Sequence, residues 1–132
     1  MPVAADLVGR SYPAPAPLEV TAERVRAFAA ALGHDSSYDD VPPTFPIVLA
    51  FDAMQAFLDA EQVDLHRIVH GEQRFTYERP LRVGDRLSAT LVVRTVRSLG
   101  VADVIGTASE IVDADGALVC TGTATLVHGG GE

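Results

Sequence analysis

The segment from Phe45 to Ala60 constrains this chain most, because it reads as a helix that cannot stand alone in water. Ile47, Val48, Leu49, Ala50, Phe51, Ala53, Met54, Phe57 and Leu58 place apolar side chains around most of its circumference. Such a helix has no broad polar face to turn outward, so the rest of the chain must wrap it. Thr44 stands where an N-cap belongs, and Pro46 falls in the first turn, where a missing N–H costs little.

The wrapping material follows directly. Residues 66–79, 86–97, 101–112 and 117–127 are long runs rich in Val, Thr, Ile and Leu, the composition of strands. Leu87, Ala89, Leu91 and Val93 alternate with Arg86, Ser88, Thr90 and, less cleanly, Val92. Leu118, Cys120, Gly122, Ala124 and Leu126 alternate with Thr121, Thr123 and Thr125. The joints carry turn chemistry: Val83-Gly84-Asp85, Ser98-Leu99-Gly100 and Asp113-Ala114-Asp115-Gly116. Short joints between long strands predict a four-strand antiparallel meander.

Upstream, residues 1–16 are rich in Pro and Ala and read as an extended arm, and Leu18-Glu19-Val20 as a short strand. Thr21 caps a first helix with Glu23 in its first turn; Val25, Phe28, Ala29 and Leu32 form one apolar face, and Gly33 stops it. His34 to Pro43 is a polar loop. With no repeat and no linker, residues 1–132 read as one α+β domain. A curled antiparallel sheet is wrapped around one central helix, with a cap helix before it, which is the hot-dog architecture. The open edges of such a sheet predict pairing with a second copy, hence a dimer.

Charge narrows the partners. A net charge of −8 leaves no basic footprint for nucleic acid. All ten basic residues are Arg, and Arg67, Arg74, Arg79, Arg82, Arg86, Arg94 and Arg97 crowd one stretch opposed only by Glu72, Glu78 and Asp85. That stretch reads either as solvated strand faces or as a dock for an anionic partner, with Arg79 and Arg82, flanking Pro80, making the contact. The lone Cys120 cannot form an internal disulfide and reads as a buried, inert thiol in a reducing, cytoplasmic setting. The first residues show no basic stretch followed by an apolar one, so no signal peptide is expected. The run Ile47–Phe51 ends at Asp52, too short to cross a bilayer. His66 and His128 read as surface residues, and no spacing of His, Cys and acidic residues predicts a metal site.

Three segments carry a resemblance. Ile68 to Asp85 (IVHGEQRFTYERPLRVGD), Val8 to Pro13 (VGRSYP) and Val41 to Pro46 (VPPTFP) resemble the MaoC-like (R)-specific hydratase and dehydratase family. The likeness is to its actinobacterial branch, which includes the non-catalytic A subunit of (3R)-hydroxyacyl-ACP dehydratase, and it covers essentially the whole chain. It implies syn addition or loss of water across the 2,3 bond of an acyl thioester, with no cofactor. In that family an Asp and a His on the loop after the first helix activate the water. A backbone N–H at the start of the central helix receives the thioester carbonyl.

The family motif runs Asp, any residue, Asn, Pro, any residue, His; the matching stretch here is Gly33-His34-Asp35-Ser36-Ser37-Tyr38-Asp39-Asp40. Asp35 takes the place of the motif Asp, no His follows at the required distance, and Tyr38 stands near the motif's His position. Asp35 and the adjacent His34 therefore read as a degraded or rearranged acid–base pair, against the alternative of an Asx-rich cap and turn after the helix. Tyr38, Thr44, Phe45, Ile47, His70, Arg79 and Arg82 are the candidate substrate contacts, with Thr44, Phe45 and Ile47 offering free N–H groups. The resemblance implies that Arg79 and Arg82 would meet the phosphates of coenzyme A or the acidic helices of acyl carrier protein. The leading expectation is an acyl-thioester-binding subunit that pairs with a motif-bearing partner. Its rivals are an autonomous homodimeric hydratase using Asp35 with His34 or His70, a binding protein without chemistry, and a thioesterase using Asp52 or Asp59.

Overall fold

The computed structural model describes residues 5–33 and 41–129. Two helices pack with an antiparallel sheet of six strands: β1 (Ser11–Pro13), β2 (Leu18–Glu19), β3 (Ile68–Tyr77), β4 (Arg86–Ser98), β5 (Ala102–Val112) and β6 (Leu118–Gly129). The architecture is the hot-dog fold that the central helix demands.

Helix α1 (Ala22–Ala31) begins where its cap chemistry places it: Thr21 is extended, and its Oγ accepts the Arg24 N–H at 3.1 Å. It ends at Gly33, whose φ of 91° suits a residue without Cβ. Val25 and Ala29 are buried, whereas Leu32 sits at the C-cap and is 52% exposed.

Helix α2 (Ile47–Ala60) starts later than Thr44 predicts. Pro46 is its N-cap, and no side chain caps it. Residues 43–46 wind as tight turns, with Phe45 N–H donating to Pro42 O at 2.9 Å and Ile47 N–H to Thr44 O at 3.0 Å. A residue before proline is pushed out of the α region, so the regular helix waits until Pro46 is passed. Leu49, Ala50, Ala53, Met54, Phe57 and Leu58 are then buried. They meet an inner sheet face built from Leu87, Ala89, Leu91 and Val93 of β4, Ile105 and Ile111 of β5, and Leu126 of β6. Phe51, 43% exposed, and Asp52 mark the side that the sheet leaves uncovered.

The meander has three strands, β4-β5-β6, and not four. The order is β1-β4-β5-β6-β3, so β3 lies beyond β6 and away from the strand that follows it in sequence. The reason lies in residues 78–85. Glu78 N–H extends the β6 ladder onto Val119 O at 2.8 Å, while Val20 N–H to Asp85 O (2.8 Å) and Gly84 N–H to Val20 O (2.7 Å) clasp the far end. The link thus crosses the end of the sheet instead of turning back on itself. The 113–117 turn is a true hairpin, where Asp113 Oδ1 accepts from Asp115 N–H at 2.9 Å and Ala117 N–H at 3.0 Å.

Three further expectations change. The arm is not simply extended: Ala5–Leu7 forms a 3-10 turn and β1 pairs with β4, burying Leu7 and Tyr12. Leu118 is 42% exposed and Val119 takes the inner position, because a register shift between Ile111 and Val112 resets the alternation at the start of β6. His128 is 3% exposed, since β6 continues through Gly129 and carries it onto the same face as Leu126. Its Nδ1 lies 3.8 Å from Oδ2 of the equally buried Asp103.

Candidate functional site

The start of α2, the end of β3 and the link after it meet at one place. Tyr77 Oη donates to Pro43 O and ties the approach to α2 onto β3. Burial, with a smaller contribution from Cys120, raises the Tyr77 phenol well above its ordinary value, so it remains a neutral donor. Beside this tie opens a groove of about 410 Å³ lined by Val41, Pro43 and the run Tyr77 to Leu81, the acidic Glu78 included.

The three expected N–H donors separate here. Phe45 and Ile47 spend theirs on the turns before α2, and Phe45 is itself buried edge-on against Phe28, with centroids 5.3 Å apart. The exposed Thr44 keeps its N–H without an acceptor among the described residues. The two arginines separate as well. Arg79 donates to both carboxylate oxygens of Asp85 at 2.9 and 3.1 Å and lies 3.6 Å from Asp113, so its guanidinium is a structural pin and not a free phosphate clamp. Hydrogen bonding to Asp85 raises its pKa further, against a desolvation penalty. Arg82 gives its main-chain N–H to Asp85 at 2.9 Å and keeps an exposed side chain with no ion pair among the described residues.

His70 occupies the other half of β3. A register shift between His70 and Glu72, around Gly71, sets His70 opposite Leu126 and Gln73 opposite Ala124, so both face inward although three residues separate them. The ring Nε2 lies 2.8 Å from Gln73 Oε1. Both residues line a smaller cavity together with Ile47, the first residue of α2. Gln73 escapes sequence reasoning because strict alternation puts it on the face opposite His70. Gly71 is the one signal in the sequence that a bulge stands there.

Asp35, His34 and Tyr38 lie outside the described residues. No group of three or more His, Cys, Asp or Glu among the described residues can hold a metal ion. No helix of the described residues is long and apolar enough to cross a membrane.

A central helix wrapped by a curled antiparallel sheet defines a hot-dog protein. Comparison with known proteins makes the assignment specific. Residues 6–122 match the family described as FAS1-like, dehydratase domain region. The chain is 41% identical over 148 residues to the UPF0336 protein of Leifsonia xyli subsp. xyli, covering 100% of this chain and 99% of the relative. It is also 41% identical over 135 residues to that of Cutibacterium acnes, covering 97% and 95%. This chain therefore belongs to the FAS1-like dehydratase-region family and to the UPF0336 proteins. Among solved structures it is similar to a chain of the C-terminally truncated HadBC (3R-hydroxyacyl-ACP dehydratase) complex of Mycobacterium tuberculosis, with a TM-score of 0.80 and 29% identity, covering 95% of this chain and 99% of that one. The MaoC-like dehydratase of Rhodospirillum rubrum shares the fold, with a TM-score of 0.67 and 17% identity over 92% of each chain.

Proposed function

We propose that this chain is the acyl-thioester-binding subunit of an (R)-specific 3-hydroxyacyl-thioester dehydratase or enoyl hydratase, and that it works as a dimer with a motif-bearing hot-dog subunit. The observation that carries the reading is the approach to α2, where the Thr44 N–H has no acceptor among the described residues and directly follows Pro43, which lines the groove with Tyr77. A donor at a helix start stabilises charge developing on a thioester oxygen, and it needs only backbone to do so. Such a contact survives the loss of the motif His after Asp35. The groove is the entrance for the carrier, and Arg82 is the free cation beside it for a phosphate or an acidic helix.

The pairing reading rests on β3. It hydrogen-bonds β6 on one side only, and Val69 on it is 65% exposed. An edge of that length is a template for a second strand. A cytoplasmic setting belongs to the same reading, since Cys120 is the only cysteine and is buried.

The test is hydration of crotonyl-CoA by the purified chain, alone and with a motif-bearing MaoC-like partner. The lone chain should turn over weakly or not at all, since a missing acid–base group costs about 10²- to 10⁴-fold. Activity should appear with the partner, depend on the partner's motif His, and be little changed by Asp35→Asn here. Brisk turnover of the lone chain, abolished by Asp35→Asn or His34→Ala, would replace this reading with an autonomous homodimeric hydratase.

A further inference from the structure

Between Pro42 and Ile47 the main chain leaves one group without a bond among the described residues. Phe45 N–H donates to Pro42 O at 2.9 Å, Ile47 N–H to Thr44 O at 3.0 Å, and Val48 N–H to Phe45 O at 3.1 Å. Pro43 and Pro46 carry no N–H. The peptide that joins Pro43 to Thr44 differs from its neighbours. Its carbonyl accepts from Tyr77 Oη, across to β3, and its N–H, on the exposed Thr44, is the group left over.

Tyr77 therefore grips the very peptide that carries the free donor. The two ends of a trans peptide lie in one plane and point in opposite directions, and no described peptide bond is cis, so a fixed carbonyl fixes the line of the N–H. This is the central peptide of the turn Pro42–Phe45, the unit whose flip separates one turn type from another. Thr44 opposes the flip as well, since it would need a positive φ, and Gln62 alone among the described non-glycine residues adopts one. A bond accepted by the carbonyl also polarises the amide and strengthens its N–H as a donor, by about 10–30%. The platform beneath is firm. Tyr77 is paired with Cys120, and Glu78 N–H continues that ladder onto Val119 O. The phenol stays a neutral donor because burial raises its pKa.

We infer that Tyr77 is a positioning residue: through the Pro43 carbonyl it aims and strengthens the Thr44 N–H that receives the thioester oxygen. The inference rests on the acyl-thioester reading above and adds to it the residue that sets the donor. Tyr77 touches no reacting atom in this role. Its loss leaves the donor in place but frees the peptide to rock, so the bond to the thioester oxygen weakens while the acyl group still binds.

Butyryl-CoA and butyryl-acyl carrier protein, isotopically labelled at the thioester carbonyl, are added to the purified chain, alone and with a motif-bearing partner, and followed by isotope-edited infrared spectroscopy. In the unaltered protein the carbonyl band should move to lower wavenumber on binding. Tyr77→Phe should reverse most of that shift, with affinity changed by less than about fivefold. Tyr12→Phe, which loses a phenol bond to Glu61 at the other end of α2, should keep the shift whole. An undiminished shift in folded Tyr77→Phe overturns the inference and leaves the acyl-thioester reading standing, as does binding without any shift in the unaltered protein. An equal loss in Tyr12→Phe assigns the effect to loosened packing and overturns the inference too. If Tyr77→Phe does not fold, Tyr77→fluorotyrosine keeps the shape and donates more strongly; it should deepen the shift, and an unchanged band overturns the inference. Failure of both thioesters to bind overturns the inference and the acyl-thioester reading together.

Discussion

Arg79 and Asp85 face each other fork to fork across the link from β3 to β4, with nitrogen–oxygen distances of 2.9 and 3.1 Å. The pair fastens a connection that has no hairpin ladder of its own. Arg79→Ala should lower stability by about 1–3 kcal/mol, measured by urea unfolding, because charge-assisted, partly buried bonds are lost and Asp85 is left behind.

The same pair sets an acid limit. Burial works against the Asp85 carboxylate. Hydrogen bonds from the Arg79 side chain and the Arg82 main chain, with the charge of both arginines, outweigh burial and hold its pKa below the usual value. A depressed carboxyl contributes stability that is full above its unfolded value, about 3.9, and is lost as pH falls through the folded one. The stability difference between the unaltered protein and Asp85→Ala should thus be greatest at neutral pH and shrink below about pH 4.

Arg82 should behave oppositely to Arg79. Its exposed side chain makes no ion pair among the described residues and adds only the smallest of the contributions that favour the Asp85 carboxylate, so Arg82→Ala should change stability by less than about 0.5 kcal/mol. Affinity for an acyl-CoA or acyl carrier protein should fall by about two- to fivefold at low salt, with the difference fading as salt is raised. An unchanged affinity at low salt would move the carrier contact elsewhere.

Tyr12 sets an alkaline limit. Its phenol is pushed up to about 12, first by burial and then by its hydrogen bond to Glu61 and that residue's charge, with Arg10 acting weakly the other way. The bond to Glu61 is 2.7 Å long. A raised phenol contributes stability below its unfolded value of 10.0 that is lost as pH rises through about 12. Tyr12→Phe should cost about 1 kcal/mol at neutral pH, and its thermal melts should converge on those of the unaltered protein between pH 10 and 12.

Cys120 should be inert in the native protein. It is fully buried, and burial pushes its thiol up to about 11. Iodoacetamide at pH 8 should label it only on unfolding, and Cys120→Ser should cost about 1–3 kcal/mol by placing a hydroxyl among apolar neighbours. Rapid native labelling would mean that the strand pair β3–β6 opens readily.

Local chemistry wrote much of this protein plainly. Thr21 and Gly33 delimit α1, the Asp113 to Gly116 segment closes its hairpin, and the apolar circumference of Phe45 to Ala60 demands a sheet wrapped around it. These features depend on neighbours within a few residues or on one element's burial, and both can be read along the chain. The family, too, was legible from the segment Ile68 to Asp85. Strand order was not, because whether residues 78–85 turn back or cross the sheet end depends on hydrogen bonds to Val20 and Val119, which are remote in sequence. The site divides in the same way. Thr44, Arg79, Arg82 and His70 were visible as residue types, but which keeps a free donor or charge depended on partners that only folding supplies. Phe45 and Ile47 spend their N–H groups on the turns before α2, and the charged Arg79 is paired with Asp85. His70 and Gln73 came to share one face through a bulge between them, a shift that a period-2 pattern cannot carry.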